Sequence, residues 1–393
     1  MNLRHLFLTY QAQTSPTPFG VEISSAKGIY MYGVDGKRYT DLIAGVSVSN
    51  AGHCHQKVVE AICRQVAKYA HLMVYGEFIQ SPQALFAEKI ASLLPENLSN
   101  VYFVNSGSEA NEGAMKLAKR FTARKEIIGF KKAYHGSTQG ALSLMDDGRF
   151  KSAFQPLLPD VRLIDFNDFD SLDAISERTA CVVAEPLQGE AGAVVPVEGY
   201  LKALREKCTQ KGALLIFDEV QTGFGRLGKM FACEKYGVFP DIITAAKSMG
   251  GGMPLGAFIS SKKIMNMLTF NPALGHITTF GGHPVSCAAG LAALEVIQSE
   301  NLIDSVEKKA TLFRNLLGDT NIEEIRGDGL LMSVELGTPE RLTRFIELAY
   351  KNGIITDWFL FNNSSFRISP PLIITDAQIE ETCHTLKKIL SKV

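Results

Sequence analysis

What the sequence lacks narrows its function first. It has no apolar run suited to a membrane. Its most apolar stretch, VSCAAGLAALEVI at 285–297, is interrupted by Glu295 and falls short of the roughly 18 residues a span needs. An excess of one charge is missing as well. Forty Lys and Arg stand against 41 Asp and Glu, so no overall field recruits nucleic acid or anionic lipid, and a ligand must be held by local chemistry. The seven cysteines include no C-x-x-C pair, a pattern that fits reduced thiols better than a disulfide framework. The opening MNLRHLFLTYQAQ carries only a short apolar cluster and no small-residue cleavage site, which reads poorly as a signal peptide. A cytoplasmic location is therefore expected. Internal repeats, low-complexity tracts and charge blocks are also missing.

What is present is an ordinary globular composition, 46% hydrophobic and 21% charged over 393 residues. At roughly 150 residues per domain, that length suggests two or three domains. Between about 101 and 261, seven short apolar runs recur: VYFV, EIIGF, VRLIDF, CVVAE, ALLIFDE, DIITAAK and LGAFISS. They are Val- and Ile-rich and nearly continuous, as expected of strands covered on both faces. The intervening EANEGAMKLAKRF and GYLKALREKC read as helices. The pattern predicts an α/β fold with a mostly parallel sheet. Near the start, GIYMYGVDGKRYTDL reads as a hairpin around Asp35 and Gly36. Past residue 300, Val306, Ala310, Phe313 and Leu317 share a helical face, LLMSVEL reads as a strand, and Thr375 with Gln378 forms a capping-box pattern. The expected division is an N-terminal segment 1–50 packing with a smaller α+β domain at 296–393, and a large domain at 51–295.

In such sheets, ligands collect beyond the carboxyl ends of the strands, and four stretches place chemistry there. NSGSEANEGAMK opens a helix near Ser106 with Glu109 at capping-box spacing; its free amides suit a phosphate, though an ordinary cap looks the same. LLIFDEVQTGFGRLGK delivers Asp218 and Glu219 from a strand end. Gly223 to Lys229 nearly completes a phosphate-loop ATPase motif. Met230 replaces the hydroxyl residue that should hold magnesium, and the loop follows the acidic strand directly, so that reading fails. AAKSMGGGMPLG delivers Lys247 from a core strand into three glycines. Such a lysine either points to water or forms a Schiff base with a cofactor that Gly250, Gly251 and Gly252 let the backbone approach. AYHGST puts Tyr134 and His135 on a loop at the same edge, where an aromatic ring stacks on a flat cofactor or simply packs.

Together these stretches resemble the class III pyridoxal-phosphate aminotransferases of fold type I, the family of ornithine, acetylornithine and 4-aminobutyrate aminotransferases. The likeness runs through GIYMYGVDGKRYTDLIAGVSVSNAGHCH, NSGSEAN, YHG, EPLQGEAG, IFDEVQTGFGRLGK, PDIITAAKSMGGGMPLGA, TTFGGHP, RGDGLL and FRISPPL, nearly the whole chain in order. The resemblance implies a seven-stranded, mostly parallel sheet in the large domain and pyridoxal phosphate as cofactor. It implies Lys247 as the Schiff-base lysine and Asp218 as the carboxylate that keeps the pyridine nitrogen protonated. Ser106, Gly107 and Ser108 match the phosphate loop, Tyr134 and His135 the ring-stacking loop, Val220 the opposite ring face, and Gln221 the neighbour of the ring hydroxyl. Thr279 matches a residue that reaches the phosphate from the other subunit, which implies a homodimer with shared sites.

The implied reaction passes an amino group from an amine or ω-amino acid donor to a 2-oxo acid, in two half-reactions and hence with ping-pong kinetics. Glu190 and Arg367 match a pair in which the arginine binds the α-carboxylate of glutamate or 2-oxoglutarate and the glutamate neutralises it at other times; a structural salt bridge is the alternative. Thr278 and Ser137 fall among the substrate-side positions. Ser137 departs from the family, whose members usually carry an arginine there for the donor's distal carboxylate, so the donor is left open. His283 also departs, standing in place of an asparagine. His53, Cys54 and His55 place two imidazoles beside a thiol, but no second ligand cluster follows, and no metal is expected. Two other functions fit the same scaffold: an aminomutase, epimerase or decarboxylase, and a non-catalytic binding protein, against which the intact Lys247 and Asp218 argue.

Overall fold

The computed structural model describes residues 2–393. Its centre is a seven-stranded sheet. In spatial order the strands are Asn100–Val104, Gly256–Ser260, Ile242–Ala245, Leu214–Asp218, Thr179–Ala184, Glu126–Phe130 and Val161–Ile164. Gly256–Ser260 runs antiparallel to both its neighbours, and the strands from Ile242–Ala245 outward to Val161–Ile164 are parallel. These are the seven apolar runs expected from the sequence.

The continuous apolar character of the central strands has a direct cause. Thr179–Ala184, Leu214–Asp218, Ile242–Ala245 and Gly256–Ser260 are buried at every position. Alternate residues feed two cores, with Leu215 and Phe217 in one and Leu214 and Ile216 in the other. The second core takes Ala110, Ala114, Met115 and Ala118 from the helix Gly107–Thr122. That helix lies so close to the sheet that a Cβ at Gly113 would come within 2.4 Å of the Phe258 ring.

The two ends of the chain meet. The hairpin strands Tyr30–Gly33 and Arg38–Asp41 turn at Gly36, and Ile354–Ile355 joins Arg38–Asp41 in parallel. A third, antiparallel sheet contains Glu324–Asp328, Leu331–Glu335, Asn362–Ile368 and Trp358–Phe359. The helix Val306–Leu317 buries the four residues its spacing singled out, and Thr375 and Gln378 form the expected capping box. No helix among the described residues is long and apolar enough to cross a membrane.

The glycine loop that imitates an ATPase motif packs these layers together. A Cβ on Gly225 would lie 2.8 Å from Leu372 and one on Gly228 would lie 3.0 Å from Glu307. Between them the fully buried Arg226 donates to the carbonyl oxygens of Leu330 at 2.9 Å and Pro370 at 2.6 Å, and to the side chain of Asn50. One guanidinium thus joins the N-terminal segment, the central loop and the C-terminal part.

Candidate functional site

At the carboxyl edge of the central sheet lies a cavity of about 680 Å³. It is lined by Ser106, Gly107, Ser108, Tyr134, His135, Ser137, Asp218, Val220, Gln221 and Lys247 among others, so ten of the sequence-derived site residues come together. The edge is a natural meeting place, because each strand there hands over to a loop or helix start.

The helix Gly107–Thr122 opens on this cavity. Ser106 caps it, its hydroxyl accepting from the Glu109 amide at 3.2 Å, and Glu109 accepts in turn from the Asn105 amide at 2.8 Å. The amides of Gly107 and Ser108, in the first turn, have no intrahelical acceptor and remain for an anion. Close packing enforces glycine on both sides. A Cβ on Gly107 would meet Val220 at 2.9 Å, and one on Gly136, at φ +126°, would meet the Ser108 hydroxyl at 1.7 Å.

Asp218 ends its strand buried and tightly held. One oxygen, Oδ2, accepts from Asn111 at 2.8 Å and faces His135 Nδ1 at 2.7 Å, while Oδ1 accepts from the Val220 amide at 3.0 Å. A carboxylate offers about four acceptor positions, so one is left for a donor inside the cavity. Two buried donors or acceptors on the same wall, Gln221 Nε2 and His135 Nε2, have no partner within the chain. Buried polar atoms are rarely left so. A flat heterocycle with a ring N–H, a ring hydroxyl and a phosphate matches the open acceptor, the orphaned amide and the free helix amides, so these residues fit pyridoxal phosphate.

Lys247 adopts φ +52° at the head of a short 3-10 turn, Lys247–Gly250. A non-glycine residue in the left-handed region is uncommon, and this one lies on the cavity wall. Burial pushes its amine below the ordinary lysine range; Glu190 works against this shift and Arg367 with it, both being near enough to act on the charge. The three glycines that follow do different work. Gly252, at φ +98°, lines the cavity, whereas a Cβ on Gly251 would strike the Ala289 carbonyl oxygen at 2.7 Å, in the helix Pro284–Ser299. Only part of the glycine run therefore serves close approach to a ligand.

Glu185 was not singled out by the sequence, although CVVAE signalled a carboxylate at a strand end. It lines the cavity and accepts from the amides of Tyr134 at 3.0 Å and Gly189 at 2.9 Å. Burial pushes its carboxyl up to about 7. It ties the Tyr134 loop to the loop carrying Glu190. Tyr134 itself lines the cavity, its hydroxyl 3.2 Å from the Ser137 hydroxyl.

Glu190 and Arg367 form a buried ion pair at 2.9 Å, and Asp357 holds the arginine's Nε, also at 2.9 Å. Thr278 and Thr279 lie away from the cavity within one chain. Thr278 accepts from Asn105 at 3.0 Å and lines a separate small hollow with Tyr102 and Phe103, and Thr279 is exposed. His283 has a clear local role. Its Nδ1 accepts from the Val285 amide at 3.3 Å, capping the helix Pro284–Ser299, as an asparagine does. His53 and His55 each face a different carboxylate, Asp41 at 2.8 Å and Glu300 at 3.2 Å.

Comparison with known proteins agrees with this geometry. The family model for aminotransferase class-III matches residues 10–390. The chain is 38% identical to the acetylornithine aminotransferase of Methanopyrus kandleri, over 99% of each chain. It is 34% identical to the [LysW]-aminoadipate semialdehyde/glutamate semialdehyde transaminase of Sulfurisphaera tokodaii, over 94% of each. Among solved structures, the ornithine aminotransferase of Toxoplasma gondii, in which pyridoxal phosphate partly occupies the active site, superposes with a TM-score of 0.92 at 32% identity, covering 100% of this chain and 94% of that one.

Proposed function

The chain belongs to the class-III aminotransferases and uses pyridoxal phosphate, and we propose that it passes an amino group to 2-oxoglutarate from a donor that needs no arginine at position 137. The observation that carries the donor reading is the composition of the cavity wall. Among the described residues, Lys247 is the only lysine or arginine lining it, the Glu190–Arg367 pair is not in that lining, and Ser137 stands at its exposed rim. At that rim a donor's distal carboxylate would meet the Ser137 hydroxyl in place of a guanidinium.

The site geometry supports the remaining roles. Lys247 Nζ is the covalent anchor and, once released, the group that carries a proton away from the substrate carbon and back; burial lowers its proton affinity and so favours the neutral form that can accept that proton. The cofactor, when bound, supplies the sink for the electron pair left on that carbon. Asp218, with its one open acceptor position, receives the ring N–H, and Asn111 and His135 fix its orientation. The amides of Gly107 and Ser108 take the phosphate, Gln221 donates to the ring hydroxyl, and Tyr134 and Val220 cover the two ring faces. Arg367 receives the carboxylate of the 2-oxo acid when Glu190 withdraws.

A cytoplasmic homodimer completes the reading, with the division at 1–50, 51–295 and 296–393. Exposed Phe270, Leu274, Ile277 and Phe280 share one segment with Thr278 and Thr279. The Phe280 ring lies 4.9 Å from His71, beside the exposed Leu72. Such an apolar area fits a protein interface, across which Thr279 would serve the other subunit's phosphate site.

The test is a screen of amine donors against 2-oxoglutarate and pyruvate, together with borohydride reduction and peptide mass analysis. A mass gain on the Lys247 peptide and a preference for donors without a distal carboxylate are expected. Strong preference for acetylornithine, ornithine or 4-aminobutyrate would reject the donor assignment.

A further inference from the structure

Arg367 is held by Asp357, by the Trp358 carbonyl oxygen, which accepts from Nη2 at 3.3 Å, by the Phe359 ring and by Glu190, and these contacts are not equivalent. Asp357 Oδ1 accepts from Nε at 2.9 Å. Its backbone is locked to the same residue, the Arg367 amide donating to the Asp357 carbonyl at 3.0 Å, and neighbouring Thr356 donates through its hydroxyl to the Arg367 carbonyl at 2.6 Å. The Phe359 ring lies 4.5 Å from the guanidinium carbon. Asp357 and Arg367 thus belong to one rigid hairpin. Glu190 reaches the same guanidinium from a different loop, and both its oxygens lie on a single nitrogen, Nη2, at 2.9 and 3.1 Å.

That leaves Nη1 buried with no partner, on a side chain only 2% exposed. Glu190 does not make the two-pronged contact that a guanidinium and a carboxylate form at their best. A substrate carboxylate laid across Nη1 and Nη2 makes that contact and satisfies the orphaned N–H. It has to displace Glu190 to do so, and it cannot displace Asp357 from Nε.

We propose that Asp357 is a positioning residue: it stays on Arg367 through both half-reactions, fixing which edge of the guanidinium faces the substrate and weakening its hold on the carboxylate of the 2-oxo acid. With one fixed and one movable carboxylate, the arginine's charge is already cancelled when Glu190 withdraws. The incoming carboxylate therefore meets a neutral pair, which favours its release after each turnover. The inference rests on the reading of Arg367 as the anchor for the 2-oxo acid.

Glutarate, a dicarboxylate without the oxo group, separates binding from reaction. Its affinity for the holoenzyme is measured by calorimetry in wild type, Asp357→Asn, Asp357→Ala and Arg367→Gln. Asparagine keeps an acceptor for Nε and removes the charge, so Asp357→Asn should bind glutarate about tenfold more tightly. In the 2-oxoglutarate half-reaction its KM should fall while kcat holds. Alanine removes the clamp as well, and Asp357→Ala should bind about tenfold less tightly than Asp357→Asn because the guanidinium is no longer held in place. Unchanged or weaker binding in Asp357→Asn overturns the proposal if Arg367→Gln has lost affinity. Unchanged binding in Arg367→Gln overturns the anchor reading itself.

Discussion

His135 Nδ1 lies 2.7 Å from Asp218 Oδ2, with both side chains buried. Burial alone would lower the proton affinity of the imidazole, but the hydrogen bond to Asp218 and the negative charges of Asp218 and Glu185 outweigh it and raise the His135 pKa. The pair fixes the orientation of the carboxylate proposed to receive the ring N–H. Asp218→Asn replaces that acceptor with an amide whose NH₂ faces existing donors. Single-turnover kinetics should show the rate of amino transfer falling by about 100- to 1000-fold, the scale of losing one electrostatic stabiliser of a reacting centre.

Restoring a guanidinium at position 137 should restore acceptance of a distal carboxylate. The site is at the exposed rim of the cavity. A charged hydrogen bond contributes about 1.5–3 kcal/mol, so Ser137→Arg should raise kcat/KM for acetylornithine by about ten- to a hundredfold relative to a donor without a distal carboxylate. A uniform change across both donors would show that position 137 does not read that end of the substrate.

Two buried carboxyls, Glu185 and Glu219, are pushed up to about 7 by desolvation from an ordinary value of 4.5. Between pH 4.5 and 7 the folded chain holds protons that the unfolded chain has released. Stability therefore falls as pH rises through that window, by at most about 1.4 kcal/mol per pH unit for each group. Urea unfolding at several pH values should show this slope, and Glu185→Gln should flatten it. A pH-independent midpoint in wild type would contradict the assignment.

Gly136 tests the union of the aromatic loop with the phosphate-binding helix. Alanine there combines an unfavourable φ of +126° with a Cβ 3.0 Å from the backbone of Ser108, and strain of this kind costs about 1–3 kcal/mol. If the loop yields by moving off the helix start, cofactor dissociation measured by absorbance should become about ten- to a hundredfold easier. Unchanged cofactor affinity would mean that Tyr134 and Ser108 are positioned independently.

Much of this architecture was legible from residues alone, because strands buried on both faces are written as continuous apolar runs. Lys247 and Asp218 stood out for the same reason, as charges at the ends of such runs. Other features depend on contacts that no local pattern encodes. Gly251 and Gly252 are adjacent and identical, yet one faces a helix and the other the cavity. Gly225 and Gly228 imitated a phosphate loop because tight packing and phosphate binding both call for a missing side chain. Asp357 left no sequence signal, since its meaning comes from lying across a hairpin from Arg367. His283 looked like a lost asparagine, and only its ring nitrogen on the Val285 amide reveals an equivalent cap.

The parallel pairing of Thr40 with Ile354 has a consequence for biosynthesis. At about 5–20 residues per second, an edge made early on the ribosome waits on the order of 15–60 seconds for its partner strand to be translated. During that interval the hairpin offers unpaired amides and carbonyls to any neighbouring nascent chain. Yield in a heterologous host should therefore depend on chaperone supply and growth temperature more than on the equilibrium stability of the finished enzyme.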